Sequence, residues 1–390
     1  MRGPNQGEWP VGKVAVLGVI TIAVYGSWFY SFGVLLDPII ADTGWNEAVL
    51  TSGFAASSLV AGFGAMAGGW LLDRHGSRLV FGIAALAGPL ALFLAAGASS
   101  ALMFATFGAI GGGVFGALGF YHVTQTAAVR LSPRNSTRAI AVLTIWGAFA
   151  SAIYLPVSAW LVGAVGWRDT LRTTTVSAGV ALLAGALLIN TEKPEEPSEG
   201  RHWADLRGSL KRVDVRRYVV AQGLVGIGVA TILVYQVPAM TAAGLSLSAA
   251  SFWAGVRGFS QLAGRLPLMP LLARLGTEGT LRLAYLSIAA GSLVLAIAGT
   301  PLLAAVFAFL AGFGIGATSP LTGMYARDLF SPAILGTAMG MLSFVFLVVG
   351  AVGPAVAGVL ATTTGSRALP VALASAVTAS AALLIRGRET

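Results

Sequence analysis

The chain consists of long runs of apolar residues separated by short polar segments. Each run is long enough for a helix to cross about 30 Å of hydrocarbon, in which backbone polar groups must bond within their own segment. The pattern therefore predicts an all-α integral membrane protein with twelve transmembrane helices. The predicted spans are 14–37, 47–72, 79–97, 101–129, 139–163, 169–190, 218–243, 248–273, 281–299, 302–326, 335–362 and 368–385.

Composition supports a membrane class and excludes several others. Charged residues make up 10% of the chain against about 25% in an ordinary soluble domain. The mean hydropathy is +0.82, and 51 glycines suit closely packed membrane helices. With no cysteine and three scattered histidines, we expect neither a metal site nor a cofactor.

The distribution of lysine and arginine predicts the orientation. Of the 24 basic residues, 19 fall in segments on the side of the N-terminus, three on the other side, and two, Arg257 and Arg265, inside a span. The positive-inside rule then places both termini in the cytoplasm, with the chain in the cell membrane. The net charge of +9 lies in short loops, so we expect no nucleic-acid partner.

One long polar segment divides the chain. We predict a six-helix half at 1–190, a cytoplasmic linker at 191–216 and a second six-helix half at 217–390. Similar residues recur at a nearly constant offset of about 200, which indicates two pseudo-symmetric repeats with a shared site at the midplane between them. The matches are DRHG at 73–76 with ARLG at 273–276, LSP at 131–133 with FSP at 330–332, Pro156 with Pro354, and GWR at 166–168 with GSR at 365–367.

Two arginines lie within the eighth span. Arg257, Gln261 and Arg265 are four residues apart and would form one stripe on a continuous helix. An arginine facing lipid at mid-span costs at least about 2.5–3.5 kcal/mol, so both must face protein or a water-filled cavity. No carboxylate lies in the middle of any span. We interpret the missing counter-charge as an anionic substrate, since a guanidinium matches a carboxylate with two parallel donors. Alternatively, one arginine bonds carbonyls freed at Pro267 or reaches Asp328.

A loop motif carries a family resemblance. The stretch GGWLLDRHGSR (68–78) resembles the cytoplasmic loop motif of the major facilitator superfamily, and its matching residues form our predicted gating motif: Gly69, Asp73, Arg74, Gly76 and Arg78. Ser77 departs from the basic residue expected there. The resemblance implies a loop that latches the inward face. The alternative is a solvated turn with a surface ion pair worth about 0–1 kcal/mol.

Within that superfamily the chain most resembles the monocarboxylate and oxalate/formate carriers. The similarity rests on YGSWFYSFGVLLDPI (25–39), on GWR (166–168) and on the pair Gly264–Arg265. It implies that Arg265 binds a substrate carboxylate, with Arg257 ranked second.

The same comparison implies a small monocarboxylate as the substrate. The span 335–362 has no lysine, and Tyr30 occupies the position of a lysine in the first span of animal carriers. Arg257 acting as a second clamp would instead favour a dicarboxylate.

Polar and aromatic residues near mid-span are the other candidates for substrate binding. Each could equally be a packed residue bonded to a neighbour, and His122 could carry a proton. Besides Arg257, Gln261 and Arg265 they are Tyr25, Tyr30, Tyr121, His122, Gln125, Trp146, Tyr154, Tyr235, Gln236, Ser319, Thr322 and Ser343.

These observations predict a secondary active transporter that moves a small organic anion by alternating access. It would work by proton symport or anion exchange, in a lipid bilayer, as a monomer. The alternative is a proton-coupled drug exporter of the same fold, although such exporters usually need a membrane-embedded carboxylate. We find no motif of an enzyme.

Overall fold

The computed structural model describes residues 10–132, 135–191, 206–330 and 335–385, and all regular structure in these ranges is helical. In chain order the helices are α1 (Val11–Val24), a π-helical segment (Tyr25–Tyr30), α2 (Ser31–Thr43), α3 (Glu47–His75), α4 (Ser77–Ala96), α5 (Ala101–Gly119), α6 (Tyr121–Leu131), α7 (Ser136–Leu188), α8 (Val213–Ala242), α9 (Leu247–Phe259), α10 (Gln261–Arg265), α11 (Leu268–Leu295), α12 (Pro301–Leu329), α13 (Leu335–Gly350), α14 (Val352–Thr364) and α15 (Ala368–Leu384).

Eight helical stretches in these ranges are long and apolar enough to cross a membrane, and α15 is a shorter apolar helix. Two of the long helices are bent by glycines with positive φ, Gly166 in α7 and Gly276 in α11. Gly166 lies between the predicted spans five and six, and Gly276 lies between the predicted spans eight and nine. The count of twelve crossings and the position of both termini stay predictions, and most of the predicted linker 191–216 lies outside the described residues.

Polar caps and left-handed glycines set several helix ends. Asn46 accepts a hydrogen bond from the backbone N–H of Ala48 at 2.8 Å, which caps α3. Thr300 caps α12 in the same way, with Pro301 in its first turn. Gly44 ends α2 in the left-handed conformation, which glycine adopts without steric penalty.

Large apolar side chains cover the outside of the bundle. Leu266 is 83% exposed and Trp160 is 70% exposed, while Trp28 and Phe32 are buried. An outer surface of this kind suits a lipid solvent.

Helices α1 to α7 pack mainly on one another, and so do α8 to α15. The two groups meet where α2 packs on α8, α3 on α13 and α14, and α7 on α9. Small residues allow this close approach: a Cβ added at Gly258 of α9 would lie 1.7 Å from Ser151 Oγ of α7. The junction between the two groups is where the sequence predicts a shared site.

The predicted eighth helix is divided at Ser260, where the backbone keeps right-handed helical angles (φ −63°, ψ −12°), so the expectation of one stripe stays a prediction. Ser260 ends α9, where its hydroxyl donates to the carbonyl of Val256 at 2.9 Å. A second break follows at Pro267, which has no backbone N–H to donate. Arg257 therefore lies on α9, whereas Gln261 and Arg265 lie on the five-residue helix α10.

Candidate functional site

Arg257 is fully buried at the junction, with 0% of its surface exposed. Its Nε donates to Gln236 Oε1 on α8 at 2.8 Å. The terminal nitrogens Nη1 and Nη2 have no hydrogen-bond partner among the described residues. Buried donors left unpaired cost about 1–3 kcal/mol each. A bound acceptor that pairs with Nη1 and Nη2 would remove this cost.

The ring of Tyr30 covers this guanidinium from the other group of helices. The Cζ atom of Arg257 lies 5.7 Å from the ring centroid, within the range of a cation–π contact. The Tyr30 hydroxyl lies near the guanidinium but lacks the geometry of a hydrogen bond to Nη1 or Nη2. Tyr30 therefore offsets part of the charge and leaves the terminal donors unsatisfied.

Tyr30 ends the π-helical segment that joins α1 to α2. Such segments widen a helix locally and occur frequently at functional sites. The hydroxyl of Ser31 donates to the carbonyl of Gly26 at 2.7 Å, which satisfies an acceptor within the irregular turn. Gly26 also leaves room for the ring of Tyr154, because a Cβ there would lie 2.1 Å from a ring carbon.

Arg265 is half-buried and largely satisfied by protein oxygens. Its Nη1 donates to the carbonyl of Thr144 on α7 at 2.8 Å, and its Nε donates to the carbonyl of Gly316 on α12 at 3.3 Å. Thr144 belongs to the first group of helices and Gly316 to the second. Arg265 thus links the two groups.

Neither arginine forms an ion pair with a carboxylate in the described part of the chain. The groups that interact with them electrostatically are tyrosines: Tyr30 with both arginines, and Tyr121 with Arg265. Within the same ranges, the positive charge at this junction therefore has no fixed acid beside it.

The other candidates divide into groups. Tyr25 stacks on Phe120 and lies 5.4 Å from the ring of Tyr121, so these rings lie with Tyr30 near the arginines. Trp146 packs its ring against Gly18 of α1. Gln261 is buried, Gln125 is half-buried, and Ser319 and Ser343 are exposed.

Several candidates are engaged elsewhere. The hydroxyls of Tyr154 and Ser177 are 2.6 Å apart, both on α7. The Nε2 atom of His122 lies 2.8 Å from the carbonyl oxygen of Ala117, which holds the ring to its own helix pair. Thr322 accepts from Gln222 in the second group of helices at 3.1 Å.

Tyr235 belongs to an ion-pair cluster that sequence reasoning missed, which we call the outer cluster: Asp37, Glu47, Tyr235, Thr241 and Arg367. Arg367 pairs with Asp37 at 2.5 Å and with Glu47 at 3.1 Å. Tyr235 donates to Glu47 at 2.7 Å, and Thr241 donates to Asp37 at 2.8 Å. Both acids come from the first group of helices, and their partners come from the second.

Burial of Arg367 disfavours its charged form, but hydrogen bonds and attraction from Asp37, with a further contribution from Glu47, outweigh it and raise its pKa. The sequence does carry a signal for this cluster. Asp37 and Glu47 lie at the two ends of the loop between the first two predicted spans, and Arg367 is the basic residue just before the last span.

The loop motif makes contacts within its own group of helices. Gly76 has a positive φ of 78°, and the neighbouring Ser77 donates to the carbonyl of Ile189 at 3.1 Å. Arg74 is exposed and lies over the ring of Trp70 at 5.4 Å. Gly69 is half-buried and Arg78 is exposed. The Asp73 side chain lies outside the described part, so the latch stays a prediction.

No group of three or more His, Cys, Asp or Glu side chains able to hold a metal occurs in the described ranges. The arrangement at the junction is thus a buried cation, a covering tyrosine and a second, partly satisfied arginine. Chemically, it can accept an anion.

Solved structures with the same fold are transporters. The chain aligns with the nucleoside transporter NupG at a TM-score of 0.77 and 15% identity, covering 95% of this chain and 96% of that one. It aligns with a D-xylose–proton symporter at 0.73 and 16%, covering 96% and 97%. A POT family transporter in complex with 5-aminolevulinic acid aligns at 0.76 and 12%, covering 98% and 97%. At these identities the likeness shows the fold alone.

A curated relative from Pseudomonas aeruginosa, the transcription regulatory protein OpdE, is 29% identical over 187 residues. That match spans 46% of this chain and 44% of the relative. The model of the Major Facilitator Superfamily matches residues 17–236 and 218–390, which together cover most of the chain. The chain therefore belongs to the Major Facilitator Superfamily and is a multi-pass membrane protein of a transporter family.

Proposed function

We propose that this protein carries a small organic anion, most simply a monocarboxylate, across the cytoplasmic membrane by alternating access. The observation that supports the proposal is Arg257: a fully buried guanidinium whose Nη1 and Nη2 are unpaired among the described residues. A carboxylate supplies two acceptors to those two donors and cancels the charge. The single binding group, together with the resemblance to monocarboxylate carriers, favours one carboxylate over two.

The contacts of the two arginines support the opposite ranking to the one that the family resemblance implies. We propose Arg257 as the primary ligand, since Arg265 already donates to two main-chain carbonyls. In this state Arg257 has no exposed surface, so an anion reaches it only when Tyr30 moves aside. Anion binding would replace a cation–π contact worth up to about 2 kcal/mol by a stronger charge-assisted pair.

Alternating access would exchange the contacts at the two ends of the junction. The outer cluster joins the two helix groups on the side predicted to be extracellular, and Arg265 joins them nearer the cytoplasmic side. Opening to either side requires one of these connections to break. We propose a monomer with cytoplasmic termini, coupled to a proton or to a counter-anion.

The test is uptake by the purified protein in liposomes. The panel contains lactate, formate, oxalate and benzoate, with efflux of a cationic dye measured in parallel. Arg257→Lys should lower acid uptake about tenfold or more, because hydrogen bonds to a charged group contribute about 1.5–3 kcal/mol and the ammonium lacks the fork. Arg265→Lys should lower it less. Arg168→Lys, at an arginine paired with Asp42 and 36% exposed, is the control and should transport normally.

Equal uptake by the wild type and both junction variants would remove the site assignment. Dye efflux without uptake of any acid would favour the drug exporter instead. The regulatory name of OpdE describes that relative, and the shared 46% of this chain gives no reason to transfer it.

A further inference from the structure

The surface opposite the two arginines is aromatic. Tyr25 stacks almost parallel on Phe120, with centroids 3.8 Å apart and an angle of 5° between the rings. Tyr121 lies 5.4 Å and Tyr30 lies 6.4 Å from Tyr25, centroid to centroid. We call these four rings the aromatic face. They come from two separate stretches, the π-helical segment and the start of α6.

Packing holds two rings of this face, those of Tyr121 and Phe120, in place. A Cβ at Gly147 of α7 would lie 1.6 Å from the hydroxyl of Tyr121, so only glycine leaves space for that side chain. Phe120 is buried and meets Phe29 edge-on at 4.8 Å. A preorganised surface of this kind binds a flat ligand without first ordering its own side chains.

The aromatic face belongs to the first group of helices and both arginines belong to the second. Tyr30 lies over Arg257 at 5.7 Å, and both Tyr30 and Tyr121 interact electrostatically with Arg265. A ligand that bridges the junction therefore meets cations on one side and aromatic rings on the other.

The accessible surface of these side chains indicates the order in which a ligand would contact them. Tyr25, Tyr30 and Tyr121 are half-buried and keep some accessible surface, whereas Arg257 has none. A ligand would meet the rings first, and Arg257 would be uncovered only as Tyr30 moves.

We propose that the carried acid is an aromatic monocarboxylate, in which a flat ring packs on the aromatic face while the carboxylate replaces Tyr30 at Arg257. This inference rests on the proposed function and narrows its substrate class. A small aliphatic acid would fill the cationic side and leave the rings without a partner. A saturated ring of equal charge would bury apolar area but could not make the offset or edge-on ring contacts that aromatic pairs prefer.

The test compares benzoate, cyclohexanecarboxylate and lactate as competing substrates of the whole chain in liposomes. Benzoate should be taken up with an apparent affinity about tenfold higher than cyclohexanecarboxylate, because ring–ring contacts add up to roughly one factor of ten. Tyr25→Phe and Tyr121→Phe keep the rings and should keep this preference. Tyr25→Leu and Tyr121→Leu should abolish it, because the apparent affinity for benzoate should fall to that for cyclohexanecarboxylate. Phe309→Leu, at an exposed ring that stacks on Phe313, is the control.

Three results would overturn the inference. These are equal or better uptake of the two non-aromatic acids by the wild type, loss of the preference in the Phe variants, and an unchanged preference in the Leu variants. Each leaves the anion carrier intact. Failure of the wild type to carry any of the three acids, in contrast, would argue against the proposed function itself.

Discussion

Gln236 is the one side chain in the described ranges that hydrogen bonds to Arg257, and it uses a neutral oxygen to do so. A carboxylate in its place would pair with the arginine permanently. A neutral amide instead holds the guanidinium in position through Nε and leaves Nη1 and Nη2 available. At the residue scale, the site combines a fixed cation with a partner too weak to neutralise it.

We therefore predict that a stronger partner for Arg257 raises the stability of the protein and lowers its transport activity. Gln236→Glu should stabilise the protein, because a carboxylate would neutralise a buried cation that has no acid beside it, and the melting temperature should rise. The same change should reduce anion uptake more than tenfold, since the new carboxylate occupies the site. Thermal unfolding in detergent and uptake in liposomes measure the two effects.

Gln222→Glu on the same helix is the matched control. Gln222 donates to Tyr218 and Thr322 and accepts from Tyr285, so a carboxylate there loses two donors and gains no cation among these partners. It should lower the melting temperature. A Gln236→Glu protein that is less stable than the wild type, or that still carries the anion, would contradict this account of Arg257.

At the scale of elements, the sequence predicted the helices well and their internal breaks poorly. The runs of apolar residues and the capping residues determine the helical spans. Gly166 and Gly276 bend the chain at positions where the sequence predicts a turn between two spans. The break at Ser260 was missed, because a serine hydroxyl bonding its own helix is common and rarely ends one.

Site contacts were predictable only in part. The absence of a mid-span acid and the position of two arginines follow from the sequence. That Arg265 is satisfied by carbonyls while Arg257 is not depends on how α7, α10 and α12 pack, a long-range property that no local pattern reports. The π-helical segment that places Tyr30 over Arg257 has the same origin.

The outer cluster acts at the scale of elements, because its hydrogen bonds and ion pairs connect α2 and α3 to α8 and to the start of α15. Its removal should favour the state open on that side. Arg367→Gln leaves Asp37 and Glu47 without their cation. A loss of about 1–2 kcal/mol changes the ratio of closed to open forms about 5–30-fold.

Cysteine labelling measures this shift cleanly, since the chain has no cysteine of its own. Val234 is buried beside Gly33 at the contact of α2 with α8. Val234→Cys should react with a membrane-impermeant maleimide faster in the Arg367→Gln protein than in the wild-type background. An exposed reporter, Thr363→Cys, should label equally in both. Equal rates at Val234→Cys would show that the outer cluster does not hold this side closed.

At the scale of the whole molecule, the offset of the repeat predicted from sequence also separates the glycines that have a positive φ. The six glycines with positive φ in the described ranges form three pairs: Gly44 with Gly244, Gly76 with Gly276, and Gly166 with Gly365. The offsets are 200, 200 and 199 residues, taken from those same positions. Gly76 and Gly276 also share ψ, at 174° and 178°, whereas ψ is 171° at Gly166 and 7° at Gly365. The positions of the glycines are consistent with the predicted repeat, and two related halves that rock about the junction stay a prediction.

If the halves rock, a covalent bond across the junction should stop transport without unfolding either half. Thr51 of α3 and Gly358 of α14 suit such a bond: a Cβ at Gly358 would lie 3.0 Å from Thr51 Cβ, and a separation of the two helices by roughly 0.5–1.5 Å reaches the roughly 3.5–4.5 Å range of disulfides. The double variant Thr51→Cys, Gly358→Cys should lose most uptake after oxidation and regain it on reduction. Thr51→Cys alone should be indifferent to oxidant, because no second cysteine exists. Full uptake by the oxidised double variant, with the cross-link verified by mass spectrometry, would mean that α3 and α14 stay together throughout the cycle, and the carrier would then have to open along the contacts of α2 with α8 and of α7 with α9.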